Sequence, residues 1–242
     1  MQTRIDEISD GIFRLSTLVP EVAPPAGFTF NQFLLMADEP LLFHTGHRFM
    51  FESVLGAVGK LMPVERLRWI SFSHFEADEC GAMNLWQEHA PRAQVAHGRL
   101  GCDVSLTDQS LRAPRALADG ELLDLGGKRV RYLATPHVPH GWDAGLLFEE
   151  RTGTLFCSDL LGQLGDGPAM TGGDIVGPAL ESEALWHSMA VTAETLPTLE
   201  RLAALDSQRL AIMHGSSLEG GCAAALRSFG RGLVAQRLPA AA

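Results

Sequence analysis

Ser73-His74-Phe75-Glu76-Ala77-Asp78-Glu79-Cys80 places four candidate metal ligands, His74, Glu76, Asp78 and Glu79, within six positions. The stretch follows Arg68 to Phe72, which reads as a short buried strand, and runs into the helical spacing of Ala82, Leu85, Trp86 and His89. The unit is strand, polar loop, helix. Residues two apart on an extended loop point to the same side, so His74 and Glu76 can grip one metal while Asp78, at the start of the helix, faces a second. A plainer reading is a polar helix start whose acidic first turn complements the helix dipole, and for Glu79 the two readings stand side by side. A His-x-acid-x-acid pattern arises by accident in about one chain in ten of this composition, so the motif needs partners elsewhere.

Upstream, Ile5 to Leu18 alternates about an Asp10-Gly11 turn, and Phe28 to Phe43 holds two apolar runs separated by Asp38-Glu39-Pro40, which predicts an antiparallel sheet. Phe51, Val54, Leu55, Val58, Leu61 and Met62 recur at helical spacing before Pro63, predicting a first helix over Phe49 to Met62. The second helix is predicted over Asp78 to Ala90. Downstream, Val95 to Val138 holds short apolar segments divided by turns such as Gly126-Gly127, consistent with more strands. Leu146 to Phe148 and Leu155 to Phe156 predict a hairpin through Arg151-Thr152-Gly153. Helices are predicted over Glu181 to Leu202 and Glu219 to Ala235, with a strand from Leu210 to Met213 between them. Leu164 to Pro178 is rich in Gly, lacks periodicity and reads as a loop. Two blocks of strands, each accompanied by helices and with no sharp composition shift, predict a single α/β domain over residues 1–242.

Composition bounds the class of function. With 242 residues, 46% hydrophobic and 20% charged, and a mean hydropathy of +0.07, the chain is neither disordered nor collagenous. Its net charge of −10, without a Lys/Arg cluster, argues against nucleic acid and anionic membrane as partners. Asp6, Glu7 and Asp10 near the start exclude a secretory signal, and no apolar run approaches the ~18 residues of a bilayer span. Cys80, Cys102, Cys157 and Cys222 form no CxxC pair, which fits reduced thiols and a cytoplasmic location.

Further candidate ligands sit at predicted strand ends. Thr135-Pro136-His137-Val138-Pro139-His140-Gly141-Trp142-Asp143 is a loop with two histidines, Cys157-Ser158-Asp159 closes one strand, and Met213-His214-Gly215 closes another. Scattered histidines are more often ordinary surface or core residues, and His89, His97 and His187 are read that way. His74, His140 and His214 are set apart by their joint pattern.

That joint pattern resembles the metallo-β-lactamase superfamily, and within it most closely the flavodiiron proteins and the oxygen-binding di-iron proteins. Hydrolytic members carry His-x-His-x-Asp-His; here the motif is His74-x-Glu76-x-Asp78-Glu79, and glutamate at the second place marks the diiron branch. Eighteen residues lie between His140 and Asp159, as in that branch, and His214 follows. His140-Gly141-Trp142-Asp143 is similar to its His-Trp-Pro-Asp loop, with one residue inserted. The resemblance implies a four-layered αβ/βα sandwich with the ligands at one edge. It implies that His74, Glu76 and His140 hold a first iron, Asp78 and His214 a second, and that Asp159 bridges them. Glu79 stands where those proteins usually have histidine. It is expected to bind the second iron; alternatively that ion lacks the ligand or recruits His137. His44, in Leu42-Phe43-His44-Thr45-Gly46, stands where many members have a supporting aspartate, so His44 and His47 either support the site from behind or are plain surface residues.

Three imidazoles and four carboxylates make the implied site hard and oxygen-rich, which suits iron, or manganese, better than the nitrogen- and sulfur-rich sets of structural zinc. Four ionised carboxylates bring −4, which cancels two Fe(II) and leaves two Fe(III) at +2, so the extra carboxylate favours the oxidised pair. The resemblance implies an oxidoreductase core that binds and reduces O2 or NO. Because the chain ends at Ala242, no flavodoxin part and no FMN are expected, and a separate redox partner is expected to supply electrons. The second class is an O2-binding sensor with a signalling partner. The third is a zinc- or manganese-dependent hydrolase of a thioester, lactone or phosphodiester, against which Glu76 counts. A homodimer is carried over from the resemblance.

Overall fold

Alternation of apolar and polar residues near the start builds an antiparallel ladder, with Gly11 at φ +63° turning the first hairpin. Its strands are β1 (Thr3–Ser9), β2 (Ile12–Val19), β3 (Phe28–Leu35) and β4 (Leu41–Phe43). Beyond β4 the strands β5 (Trp69–Ser71), β6 (Gln94–Gly98) and β7 (Arg115–Leu117) add in parallel. Parallel pairing requires crossover segments. These hold α1 (Phe51–Leu61), α2 (Ala77–Cys80), α3 (Met83–His89), α4 (Arg99–Gly101) and α5 (Thr107–Gln109), with a π-helical turn over Cys102–Leu106. This computed structural model describes residues 1–237.

The second sheet is formed by β8 (Leu122–Asp124), β9 (Arg129–Ala134), β10 (Gly145–Glu149), β11 (Thr154–Ser158), β12 (Met170–Thr171), β13 (Arg209–Ile212) and β14 (Ser217–Glu219). Its order is β12-β14-β13-β11-β10-β9-β8, with β11 and β13 parallel. The helices α6 (Val176–Trp186), α7 (Thr195–Ala203) and α8 (Cys222–Arg237) cover its outer face.

Each sheet is apolar on both faces, which forces four layers. Leu15, Leu34, Leu42 and Ile70 pack outward against Phe51, Val54 and Val58 of α1 and Trp86 of α3. Phe33, Phe43, Tyr132, Leu147 and Phe156 fill the space between the sheets. Leu146, Leu155 and Leu210 meet Leu199 and Leu202 of α7 and Leu226 and Phe229 of α8. The αβ/βα sandwich is therefore the one predicted.

Several element boundaries are corrected. The helix predicted over Glu181 to Leu202 is two helices, because His187 takes the left-handed conformation (φ +55°) and ends α6. Asp78 to Ala90 divides into α2 and α3 at Gly81, where a Cβ would run into the Ala77 carbonyl. The loop predicted over Leu164 to Pro178 contains β12 and the start of α6. The segment read only as strands after Val95 carries the helical stretch from α4 to α5. Helical spacing marks which positions are apolar, not where a bend interrupts them. Among the described residues no helix is long and apolar enough to cross a membrane.

Candidate metal centre

The C-terminal ends of β5, β11 and β13 point to one edge of the sandwich, and the loop joining β9 to β10 folds over the same edge. Four segments distant in sequence thus meet there: His74 to Glu79 after β5, the His140 loop, Asp159 after β11 and His214 after β13. The His140 loop is held by its own turns. Thr135 N–H donates to the Ala144 carbonyl (2.8 Å), His137 N–H to Gly141 (2.7 Å), and the Asp143 carboxylate accepts the Phe75 N–H (3.1 Å), tying this loop to the first.

His74, Glu76, His140 and Asp159 each offer a ligand atom within 4.8 Å of the others. Nε2 of His74 lies 3.0 Å and Nε2 of His140 2.8 Å from Glu76 Oε2. Asp159 Oδ2 is 3.5 Å and 3.6 Å from the same two nitrogens, too far for a hydrogen bond, and it is buried without a partner. An orphaned buried carboxylate oxygen facing two imidazoles and a second carboxylate fits a cation. Its other oxygen, Oδ1, is 3.1 Å from His214 Nε2, which lies 3.6 Å from Asp78 Oδ2. The His214 Nδ1–H donates to the Thr29 carbonyl (2.8 Å), which leaves Nε2 free to face the site. Asp159 therefore stands between the two groups of side chains that the resemblance assigns to two metals.

Charge is concentrated here. Burial pushes Asp78 up to about 6 and Glu79 up to about 7. Burial opposes a charge on His74 as well, yet Glu79, Glu76 and Asp159 around it raise it to about 10. Hydrogen bonds from His140 and then His74 lower Glu76 to about 2. Asp159 is also held low: burial works against its charge, but His214 and His74 prevail. Two anions beside raised imidazoles are the electrostatics of a site that takes positive charge.

The remaining candidates divide. His44 is fully buried against the Phe43 ring and pushed down to about 3 by burial, with its Nε2 3.5 Å from Glu79 Oε1. His47 lines the cavity over the site, edge-on to Phe30 at 5.0 Å. His137 is exposed and lies apart from the cluster. Glu79 is fully buried, with both oxygens occupied by groups on the far side of His74. Of the residues read as ordinary, His97 is a buried core residue whose ring stacks on Phe72.

Over the acidic groups lies a cavity of about 330 Å³. One wall carries His140, Asp78, Asp159 and His214; the other is apolar, with Val22, Phe28, Phe30 and Trp186. Sequence reasoning missed this wall, as well as Ser158, because these residues carry no ligand chemistry of their own.

Two mixed sheets between helical layers, with a His and carboxylate cluster at one edge, define a metallo-β-lactamase-like α/β protein. Residues 28–215 match the family described as ODP family beta lactamase, and the chain belongs to that family. It is 26% identical over 139 residues to a putative diflavin flavoprotein A of Nostoc sp., covering 56% of this chain and 24% of that protein. The metal-soaked flavodiiron core from Synechocystis sp. matches with a TM-score of 0.84 at 20% identity, over 98% of this chain and 62% of that one. The rubredoxin oxygen:oxidoreductase of the anaerobe Desulfovibrio gigas matches with a TM-score of 0.80 at 16% identity, over 94% and 61%. These last two are likenesses of fold. The chain spans less than half the length of the curated relatives it matches, 24% and 43% of two of them.

Proposed function

We propose that this chain is a non-haem di-iron protein that binds and reduces O2, or NO, with electrons from a separate redox protein. His74, Glu76 and His140 would hold the first iron and Asp78 and His214 the second, with Asp159 serving both. The observation that carries this reading is Asp159, whose two oxygens face different imidazoles, His214 on one side and His74 with His140 on the other. Family membership and the likeness to the rubredoxin oxygen:oxidoreductase of Desulfovibrio gigas support the choice of gas.

Two iron ions held there would supply electrons and Lewis acidity for reduction of the gas. The protein's own part is positional and electrostatic. Thr29 orients His214 by accepting its Nδ1–H. Asp143 fixes the loop that carries Glu76 by accepting the Phe75 N–H. Phe28, Phe30 and Trp186 keep water from one side of the site, which strengthens every charge interaction inside it and leaves an apolar approach for a diatomic gas. Glu76 and Asp159 are anionic at neutral pH, and His74 and His140 give up protons as metal enters.

The test is anoxic reconstitution with Fe(II), followed by exposure to O2 in a stopped-flow spectrometer. A visible charge-transfer band that grows and then decays slowly without a reductase is expected. The cavity is also roomy enough for a small organic molecule, which favours the hydrolase as the second reading. A protein silent towards O2 that hydrolyses thioesters or lactones with zinc or manganese would establish it instead.

A further inference from the structure

Glu79 stands one residue beyond Asp78, yet its carboxylate points away from the cavity that Glu76, Ala77 and Asp78 line. Its side chain has no exposed surface. Oε2 accepts the backbone N–H of Ser73 (2.7 Å) and that of His74 (2.8 Å). Oε1 accepts the Ser158 hydroxyl and lies 3.4 Å from His74 Nδ1 and 3.5 Å from His44 Nε2. Ser158 immediately precedes Asp159 and has φ +52°. One carboxylate thus ties together the loop bearing His74 and the strand end bearing Asp159, with the buried His44 beside it. It sits on the Nδ1 side of His74, while Nε2 faces Glu76 and Asp159. His74 Nδ1 itself hydrogen-bonds the Ser73 hydroxyl (3.1 Å), so Glu79 orients the ring through the Ser73 and His74 N–H groups it holds, and its charge behind the imidazole raises the basicity of that ring. A metal ligand needs a lone pair aimed at the ion, and a buried carboxylate that gave up three donors to supply one would leave those donors unpaired.

We infer that Glu79 is a positioning residue for His74 and Asp159, and that the second metal position has only three protein side chains, Asp78, His214 and the shared Asp159. This rests on the dinuclear reading above. The first position, with His74, Glu76, His140 and Asp159, has four. The two ions therefore bind with unequal strength, the first filling before the second, and the second ion keeps coordination places open towards the apolar wall of Phe28 and Trp186. The histidine of related motifs is replaced here by a brace.

The experiment is an anaerobic titration of the apoprotein with Co(II), following d–d absorption and heat, on the wild type, Glu79→Gln and Ser158→Ala. Two separate steps are expected for the wild type, the second at least tenfold weaker. Glu79→Gln loses the charge and puts an NH2 where one acceptor oxygen stood, so it cannot accept all three donors; the first step, which uses both His74 and Asp159, weakens about ten- to a hundredfold and its absorption changes shape, while the second step, which shares only Asp159, weakens by a smaller factor. Ser158→Ala, which removes a single donor and keeps the fold, shifts the first step in the same direction by a smaller factor. A Glu79→Gln protein that loses only the second step shows Glu79 to be a ligand and overturns the inference. So does a wild type whose two steps are equal in strength. Saturation of the wild type at one ion overturns the dinuclear reading itself, while the effect of Glu79→Gln on that single step still decides whether Glu79 braces His74.

Discussion

The Phe28 ring lies against the imidazole of His214, their centroids 4.2 Å apart and their planes inclined by 23°. Phe30 meets the same imidazole edge-on at 5.4 Å, and Trp186 flanks Phe28 at 5.8 Å. A histidine from the end of β13 is thus held by aromatic side chains of β3, and its ring plane is set before any ligand arrives. Phe28→Ala removes the stacked face and widens the cavity. We expect the metal step that depends on His214 to weaken about tenfold, as for other residues that orient a ligand, with the His140 step unchanged. Anaerobic metal titration with calorimetry reads both.

Asp159 is the one carboxylate placed between both groups of imidazoles. Asp159→Ala is expected to lower the affinity of both metal positions, and the purified protein should carry less than one ion per chain. Asp78→Ala should remove one ion and leave the other. Elemental analysis of the two variants, prepared identically, separates a shared ligand from an unshared one.

Metal affinity should depend on pH in a definite direction. A ligating imidazole must be deprotonated, and His74 is raised to about 10, so binding releases its proton and the affinity rises with pH. At the acid end Asp78, raised to about 6 by burial, takes up a proton and ceases to be a ligand as the pH falls through that value. Affinity measured at a series of pH values from about 5 to about 8 should therefore climb throughout, and for the position that uses Asp78 the climb is steeper below about 6 than above it. A flat profile would show that neither group loses a proton on binding.

Gly145 begins β10 beside the Tyr132 ring, which a Cβ at that position would strike, and its N–H donates to the Ser73 carbonyl (2.9 Å). Tyr132 is buried between the sheets. Gly145→Ala should cost about 1–3 kcal/mol, the usual range for overpacking a close-packed core. Urea denaturation measures it.

Much of the architecture was legible in the order of residues, because what sets it acts over short range. Alternation from Ile5 to Leu18 and from Phe28 to Phe43 marks strands by which neighbours must be buried, and apolar spacing before Pro63 marks a helix. The ligand types, and the two-residue step from His74 to Glu76, are likewise local, since an extended loop sends both side chains to one side. The helix breaks after Gly81 and at His187 were not legible, because the angles of Ala82 (φ −93°, ψ 6°) and His187 (φ +55°) answer to packing rather than to the apolar pattern. Glu79 shows the same limit at the site. Its place in the motif says that a carboxylate follows Asp78; its direction depends on the Ser158 hydroxyl, 79 residues away, and on the loop N–H groups that a buried anion must find. The wall of Phe28 and Trp186 is set by the register of β3 and the end of α6. Burial and the pairing of buried polar groups are satisfied by whatever the fold brings near, so tertiary structure alone decides which face of a residue meets the metal.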